Sequence, residues 1–408
     1  MKNKPDLMLI ILFGLLLIVG WVSIFSTKYQ LGNFTMNSSY GLQLIWIGAS
    51  VILSLLVFAT HKRVYYNFAA YIYMFFNLLV LLVFFVGVER SGAKSWLGVG
   101  GFGIQPAEFA KYGACLLLAR YASVRSCDLT KWKQVFIAAL IILIPAGLIL
   151  LQNDTGSAIP FLFLAIALYR EGLTPWIFIA GFLAVILFIL LIYISHWTIL
   201  AVILSLFLVS IIYFIKKKRN ILRILIFYAL TVGYIFTVDV VYDNIFQEHH
   251  RRRIELLFGK IDDPRGIGYN VNQAKIAIGS GGLLGKGFGK GTQTQLNFVP
   301  EQSTDFIFCT IGEEWGFAGT VIVIVLYSFL IGRIIYLSEK SEDAFTRCYG
   351  YCISSIFFAH VAINIGMTIG LMPVIGIPLP LISYGGSSLF ATTVMLFTFV
   401  NLKTKIRE

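Results

Sequence analysis

Charged side chains are scarce in this chain: Asp, Glu, Lys and Arg make up 13% of its 408 residues, against 58% hydrophobic. That scarcity excludes a soluble globular domain, because apolar stretches of about 20 residues recur along the chain with too little polar surface to cover them. Paired cysteines are missing too. Cys115, Cys127, Cys309, Cys348 and Cys352 form no C-x-x-C pair, and most lie in or beside apolar runs, which points away from a disulfide framework or a zinc site. No Walker sequence, no repeat of about 20 to 50 residues and no clean inverted repeat is found. The first apolar run, "LMLIILFGLLLIVGWVSIFS", exceeds a signal-peptide core and lacks a small-x-small cleavage site, so it reads as a retained helix. Acidic residues number 20 against 32 basic ones, for a net charge of +12. In a soluble protein that balance would suggest nucleic acid. Here the Lys and Arg sit mostly in short breaks between apolar runs, where they set topology and meet anionic lipid, so no nucleic-acid partner is expected.

What remains is an all-α polytopic membrane protein. Apolar runs place about twelve helices, near 6–27, 41–60, 67–88, 106–121, 134–151, 156–170, 175–194, 197–215, 221–240, 305–336, 348–370 and 384–402. One integral-membrane domain over 1–408 is the expectation, with both termini cytoplasmic. Every basic cluster in a short break then falls inside, including "HKR" at 61–63 and "KKKR" at 216–219. The outer face receives "QNDTG", the loop 371–383 and one long segment, 241–304.

That long segment is the only extended stretch outside the spans, and connections longer than about 15 residues usually carry function or disorder. Arg251, Arg252 and Arg253 open a short amphipathic helix, and "NVNQAKIAIG" reads as a second one. "GSGGLLGKGFGKG" follows, with Lys286 and Lys290 among its glycines. Exposed N–H groups beside lysines suit a phosphate or diphosphate, although a turn meeting lipid headgroups has the same composition. His249 and His250 stand in a basic run, poor surroundings for a cation.

The segment ends in "NFVPEQSTDFIF", which sets Thr304 and Asp305 against an apolar helix. A carboxylate at a membrane boundary needs a partner, water or a helix N-terminus. Asp305 is therefore a helix cap, or a general base or cation ligand in a cavity opening outward. In "QPAEFAKY", Glu108 and Lys111 share a helix face three residues apart, as a structural pair or as cavity residues. Asp154 in "QNDTGS" marks another outer helix start. "MPVIGIPLPLISYGGSS" places three prolines in a stiff outer loop followed by Ser383 and Tyr384, suited to lining a groove or bracing two helices.

These stretches resemble the RodA/FtsW family of shape, elongation, division and sporulation proteins, the membrane peptidoglycan glycosyltransferases. The resemblance covers most of the chain. Its most specific segments are the one running from "RRRIELLFGKIDD" to "TDFIFCTIGEEWG" and "INIGMTIGLMPVIGIPLPLISYGGSS", the latter closer to the rod-shape branch. It implies polymerisation of lipid II into β-1,4-linked glycan strands outside the bacterial cytoplasmic membrane, with inversion and release of undecaprenyl diphosphate. Asp305 occupies the family's essential aspartate position, while Glu108, Lys111 and Asp154 match its cavity residues. Mg²⁺ or Mn²⁺ at Asp305, with Glu108, is the implied cofactor, and Arg252, Lys286, Lys290, Thr304, Ser383 and Tyr384 are candidates for the diphosphate and glycan. A class B penicillin-binding protein, the crosslinking transpeptidase, is the implied partner. Family members usually have ten spans, so 195–240 reads as an added helical hairpin. The rival reading is a lipid II flippase, and a noncatalytic scaffold is a third.

Overall fold

The computed structural model describes residues 5–28, 36, 38–90, 92–99, 102–124, 127–194, 196–216, 221–240, 248–258, 260 and 268–404. The chain divides into two compact units, one formed by 1–173 with 262–408 and the other by 174–261.

The first unit begins with α1 (Leu7–Lys28), α2 (Ser39–Ala59) and α3 (Lys62–Val86). Ser38 caps α2 by accepting the Gly41 N–H at 3.4 Å. A small antiparallel sheet follows, ordered β1 (Val88–Arg90), β2 (Ala93–Val99), β3 (Phe102–Ile104). Then come α4 (Pro106–Ala122), with Pro106 in its first turn where a missing N–H costs nothing, α5 (Trp132–Leu151), α6 (Thr155–Leu162) and α7 (Leu164–Arg170).

The second unit holds α8 (Trp176–Tyr193), α9 (His196–Lys216), α10 (Ile221–Val240) and α11 (Glu248–Leu257). Within it, the Tyr234 hydroxyl of α10 donates to the Ala184 carbonyl of α8 at 2.9 Å. Phe207 and Tyr228 place their ring centroids 4.5 Å apart between α9 and α10.

The first unit resumes with α12 (Tyr269–Ser280), α13 (Thr292–Gln295), α14 (Ile307–Glu339), α15 (Ala344–Thr368) and α16 (Gly386–Lys403). Its centre is α4, α15 and α16, each buried along most of its length. Around them α3 packs on α4, α2 on α16, and α1 and α12 on α14.

The expectation of about twelve membrane-spanning helices is corrected. Among the described residues, six helices, α1, α2, α3, α5, α14 and α15, are long and apolar enough to cross a membrane. The other expected spans fall short for identifiable reasons. The 17 residues of α4 rise only about 26 Å, less than a hydrocarbon core of about 30 Å. Residues 156–170 are not one helix, because α6 ends at Leu162, two residues after Pro160, and α7 starts anew at Leu164. In α16, two serines, three threonines and an asparagine occupy an 18-residue helix. The described apolar parts of α8, α9 and α10 run only over Trp176–Leu191, Trp197–Leu208 and Tyr228–Val238. The chain is a multi-pass membrane protein, and among the described residues the only strands are those of the sheet over 88–104, which apolar periodicity does not announce.

Candidate active site

The site is built from backbone held by side chains. Asn364, fully buried on α15, donates its amide N–H groups to the carbonyls of Asp305 at 2.8 Å and Ile377 at 2.7 Å. One side chain thus pins the turn before α14 and the proline loop to the same helix. Ser383 completes the clamp: its hydroxyl donates to the Thr304 carbonyl at 2.6 Å and accepts the Leu379 N–H at 2.8 Å. The Tyr384 N–H donates to the Ser303 carbonyl at 2.9 Å. Asp305 therefore sits, half-buried, on a segment fixed to the loop from both sides. Its Oδ2 lies over Gly376, 3.3 Å from where a Cβ would stand. The capping position of α14 is Phe306, which forms no side-chain cap, so Asp305 stands one residue outside it. Thr304 turns its hydroxyl toward Glu301, donating to the carboxylate at 3.0 Å.

The same loop is braced from behind. The first turn of α6 approaches it so closely that a Cβ on Gly156 would lie 2.4 Å from the Ile375 carbonyl. Asp154 is the cap of α6, accepting the Ser157 N–H at 3.0 Å and the Gln105 amide at 2.8 Å. The Tyr327 hydroxyl donates to the Pro380 carbonyl.

A buried polar chain reaches the loop from α4. The Lys111 ammonium, with no exposure, lies 2.7 Å from Glu108 Oε1 and 2.8 Å from His360 Nε2. His360 Nδ1 lies 3.1 Å from the Pro378 carbonyl. A carbonyl can only accept, so Nδ1 carries the imidazole proton and Nε2 offers its lone pair to the ammonium. The arrangement is a neutral histidine joining a Lys–Glu pair to the loop that holds Asp305. A cavity of about 10 Å³ beside it, lined by Glu108, His360, Pro380 and Thr392 among others, is the size of one water and far too small for a sugar ring.

The glycine segment is committed elsewhere. Helix α14 breaks at Gly316, where φ is +64°. The two backbone bonds that a continuous helix would make here, from Phe317 to Glu313 and from Ala318 to Glu314, are replaced by four bonds to the glycine segment. The N–H groups of Lys286 and Gly287 donate to the carbonyls of Glu313 and Glu314 at 3.0 Å each, while those of Phe317 and Ala318 donate to Gly282 at 2.9 Å and Leu283 at 3.0 Å. A side chain on Gly316 would put its Cβ 2.3 Å from the Gly285 nitrogen, so the crossing admits only glycine. The Lys286 ammonium pairs with Glu313 at 2.7 Å and donates to Thr292 at 2.8 Å. Glu313 also accepts the Gln293 and Thr294 N–H groups at 2.9 Å each. Ser26 of α1 donates to Glu314.

The sequence-derived candidates thus fall into groups. Asp305, Thr304, Ser383 and Tyr384 belong to one clamp, and Glu108 with Lys111 joins its far side through His360. Asp154 caps the helix that buttresses the loop. Lys286 belongs to the glycine crossing, and Lys290 is exposed beside it. Arg252 is exposed on α11, in the second unit. His360, Asn364 and Gln105 were missed. "HVAIN" places His360 and Asn364 four apart on one face of α15, a pattern that marks polar groups turned into the bundle. No three His, Cys, Asp or Glu side chains converge among the described residues. The donor set suits a hard cation held by one carboxylate and completed by substrate oxygens, as Mg²⁺ commonly is, rather than an all-protein cage.

The model of the family described as FTSW_RODA_SPOVE, cell cycle protein, matches residues 6–206 and 196–408. The chain belongs to the FtsW/RodA/SpoVE family. Among relatives of this FtsW/RodA/SpoVE chain, peptidoglycan glycosyltransferase MrdB of Escherichia coli K12 is 32% identical over 343 residues, 84% of this chain and 80% of that protein. Peptidoglycan glycosyltransferase RodA of Treponema pallidum is 31% identical, covering 99% of this chain and 98% of its own. A chain from a peptidoglycan synthase complex that coordinates polymerization and crosslinking superimposes with a TM-score of 0.74 at 25% identity, 98% of each chain covered. Rod shape determining protein RodA of Thermus thermophilus gives 0.64 at 25% identity, over 98% of this chain and 97% of that one.

Proposed function

We propose that this protein is a peptidoglycan glycosyltransferase that polymerises lipid II into β-1,4-linked glycan strands on the outer face of the cytoplasmic membrane during elongation, with Asp305 as its general base. The observation that carries the assignment is the clamp: a half-buried carboxylate held on a turn fixed to both α15 and the proline loop. Relatives named as peptidoglycan glycosyltransferases support the reaction class.

In this reaction the 4-hydroxyl of the incoming lipid-linked GlcNAc attacks the anomeric carbon of the MurNAc ending the strand. The C–O bond to undecaprenyl diphosphate breaks as the glycosidic bond forms on the opposite face, which inverts the anomeric centre. Asp305 takes the hydroxyl proton and returns it to solvent. Rigid backing matters here because an error of about 1 Å in placing a catalytic group can cost about 100-fold in rate. Mg²⁺ or Mn²⁺, held by Asp305 with diphosphate oxygens, would supply countercharge for the leaving group. The Lys111–Glu108 pair, near-neutral as a unit, sets the position of the proline loop through His360. Basic clusters in the short breaks put both termini in the cytoplasm. A class B penicillin-binding protein is the partner, in keeping with the synthase complex from which a similar chain comes.

The deciding experiment is glycan-strand formation from labelled lipid II by purified protein, with and without that partner, comparing wild type with Asp305→Asn. Polymer from wild type and none from a correctly inserted variant is expected. Equal polymer from both would remove Asp305 from the chemistry. No polymer from either, with lipid II still crossing vesicle membranes, would make the protein a flippase.

A further inference from the structure

At the end of α14 remote from Asp305, about 50 Å of helix away, the start of α3, the α14–α15 turn and the last turn of α16 surround a pocket of about 400 Å³. Its walls carry four cationic side chains, Lys62, Arg63, Lys340 and Lys403, and two acidic ones, Glu342 and Asp343. Asp343 is engaged as the cap of α15, accepting the N–H groups of Phe345 at 3.3 Å and Thr346 at 3.0 Å. The count favours positive charge by two.

Three arginines near this end of the molecule are each paired with a carboxylate: Arg333 with Asp6 at 2.6 Å, Arg347 with Glu171 at 2.9 Å, and Arg170 with Glu339. The pocket lining instead sets four cationic side chains against two carboxylates. Lys62 is half-buried, and its ammonium is steered onto the wall by donating one N–H to the Leu402 carbonyl at 2.9 Å, which leaves two donors for an occupant. The floor is buried Phe345, Thr346 and Leu402. Position adds the rest. Lys62 is the first residue of α3, Lys403 the last of α16, and Lys340 the cap ending α14. Of these, α3 and α14 are long and apolar enough to cross a membrane, and the ends of such helices lie at the depth of phospholipid phosphates.

We propose that this pocket binds the phosphate headgroup of an anionic glycerophospholipid. A concavity of 400 Å³ falls in the range of small-ligand sites, and basic pockets between helix ends on the inner leaflet are suited to such headgroups. The occupant is a lipid that stays with the protein, distinct from any substrate at the other end of the molecule, and the inference does not depend on the reaction assigned above.

The test uses the full-length protein in nanodiscs of phosphatidylcholine doped with phosphatidylglycerol, followed by native mass spectrometry of the lipids retained. Wild type is expected to hold one phosphatidylglycerol in preference to phosphatidylcholine. The double variant Lys62→Gln/Lys403→Gln should weaken that retention about 30-fold, given about 1 kcal/mol for each basic residue near a charged surface. Lys62→Arg/Lys403→Arg should retain it, which separates lost charge from lost fold. Lys131→Gln/Lys133→Gln, on a basic stretch outside the pocket, should leave retention unchanged. Equal losses in both Gln pairs would reduce the effect to general surface charge and overturn the proposal. So would displacement of the lipid by millimolar inorganic phosphate, which would mark a free-anion site, or retention of phosphatidylcholine as strong as that of phosphatidylglycerol.

Discussion

Replacing His360 tests the link between the buried Lys–Glu pair and the loop that carries Asp305. Leucine fills similar space but removes two bonds: the acceptor of the Lys111 ammonium at 2.8 Å and the donor to the Pro378 carbonyl at 3.1 Å. A bond to a buried charge is worth about 1.5–3 kcal/mol, and an unpaired buried carbonyl costs about 1–3 kcal/mol, so His360→Leu should destabilise by about 3–5 kcal/mol. Glutamine offers both functions in one amide, an oxygen for Lys111 and an N–H for Pro378, and should cost about 1 kcal/mol. In lipid II polymerisation, His360→Leu should lower kcat about 100-fold with KM within a factor of about three, because the loop and with it Asp305 would be misplaced rather than the substrate released. His360→Gln should stay within about fivefold of wild type. Each variant is compared by thermal unfolding in detergent alongside the kinetics. Glutamine as inactive as leucine would mean that ring packing, not the pair of bonds, is what His360 provides. Leucine as active as wild type would refute any link between the Lys111–Glu108 pair and the site.

Asn364→Ala should strand the carbonyls of Asp305 and Ile377 together, costing about 2–5 kcal/mol, and should abolish polymerisation in whatever protein still folds. Gly316→Ala places a Cβ against the Gly285 nitrogen at a positive φ, so a loss of about 2–4 kcal/mol in thermal unfolding is expected; an unchanged melting temperature would show that the crossing is loose. Lys286→Met should lower stability by about 2 kcal/mol while leaving KM for lipid II within about twofold, since its ammonium is engaged by Glu313 and Thr292. A raised KM at unchanged stability would assign Lys286 to the substrate. Chelation with EDTA should stop strand synthesis and added Mg²⁺ or Mn²⁺ restore it; synthesis that survives chelation would exclude the cation at Asp305.

The membrane class and the position of Asp305 were legible because they depend on local sequence, a long apolar run and one carboxylate at its edge. The span count was not. Counting apolar runs treats Thr392 and Thr393 as weak interruptions of a lipid-facing helix, yet both are buried and donate their hydroxyls to the carbonyls four residues back, so α16 belongs to the interior of the bundle. In the glycine segment the pairing was not legible for a related reason: the N–H groups of Lys286 and Gly287 and the Lys286 ammonium, which in one dimension look like an anion cradle, are engaged by acceptors some 27 residues downstream on α14. His360 and Asn364, four apart in "HVAIN", could have been questioned together as polar residues on one face of a buried span, but what His360 joins is readable only once its partners on α4 and in the proline loop are placed beside it.

The crossing at Gly316 has a consequence for how the molecule comes apart. Four backbone bonds join the glycine segment to the helix, and breaking any of them leaves a peptide group without its partner. Neither side can loosen alone: peeling the segment away orphans the carbonyls of Glu313 and Glu314, and unwinding the helix there orphans those of Gly282 and Leu283. The two should therefore open as one cooperative unit, with the amide protons of Lys286, Gly287, Phe317 and Ala318 exchanging at a common rate. Because Asp305 lies only eleven residues before Gly316, the turn that carries it inherits that stiffness although it belongs to a loop-bearing part of the protein, where lability is the rule.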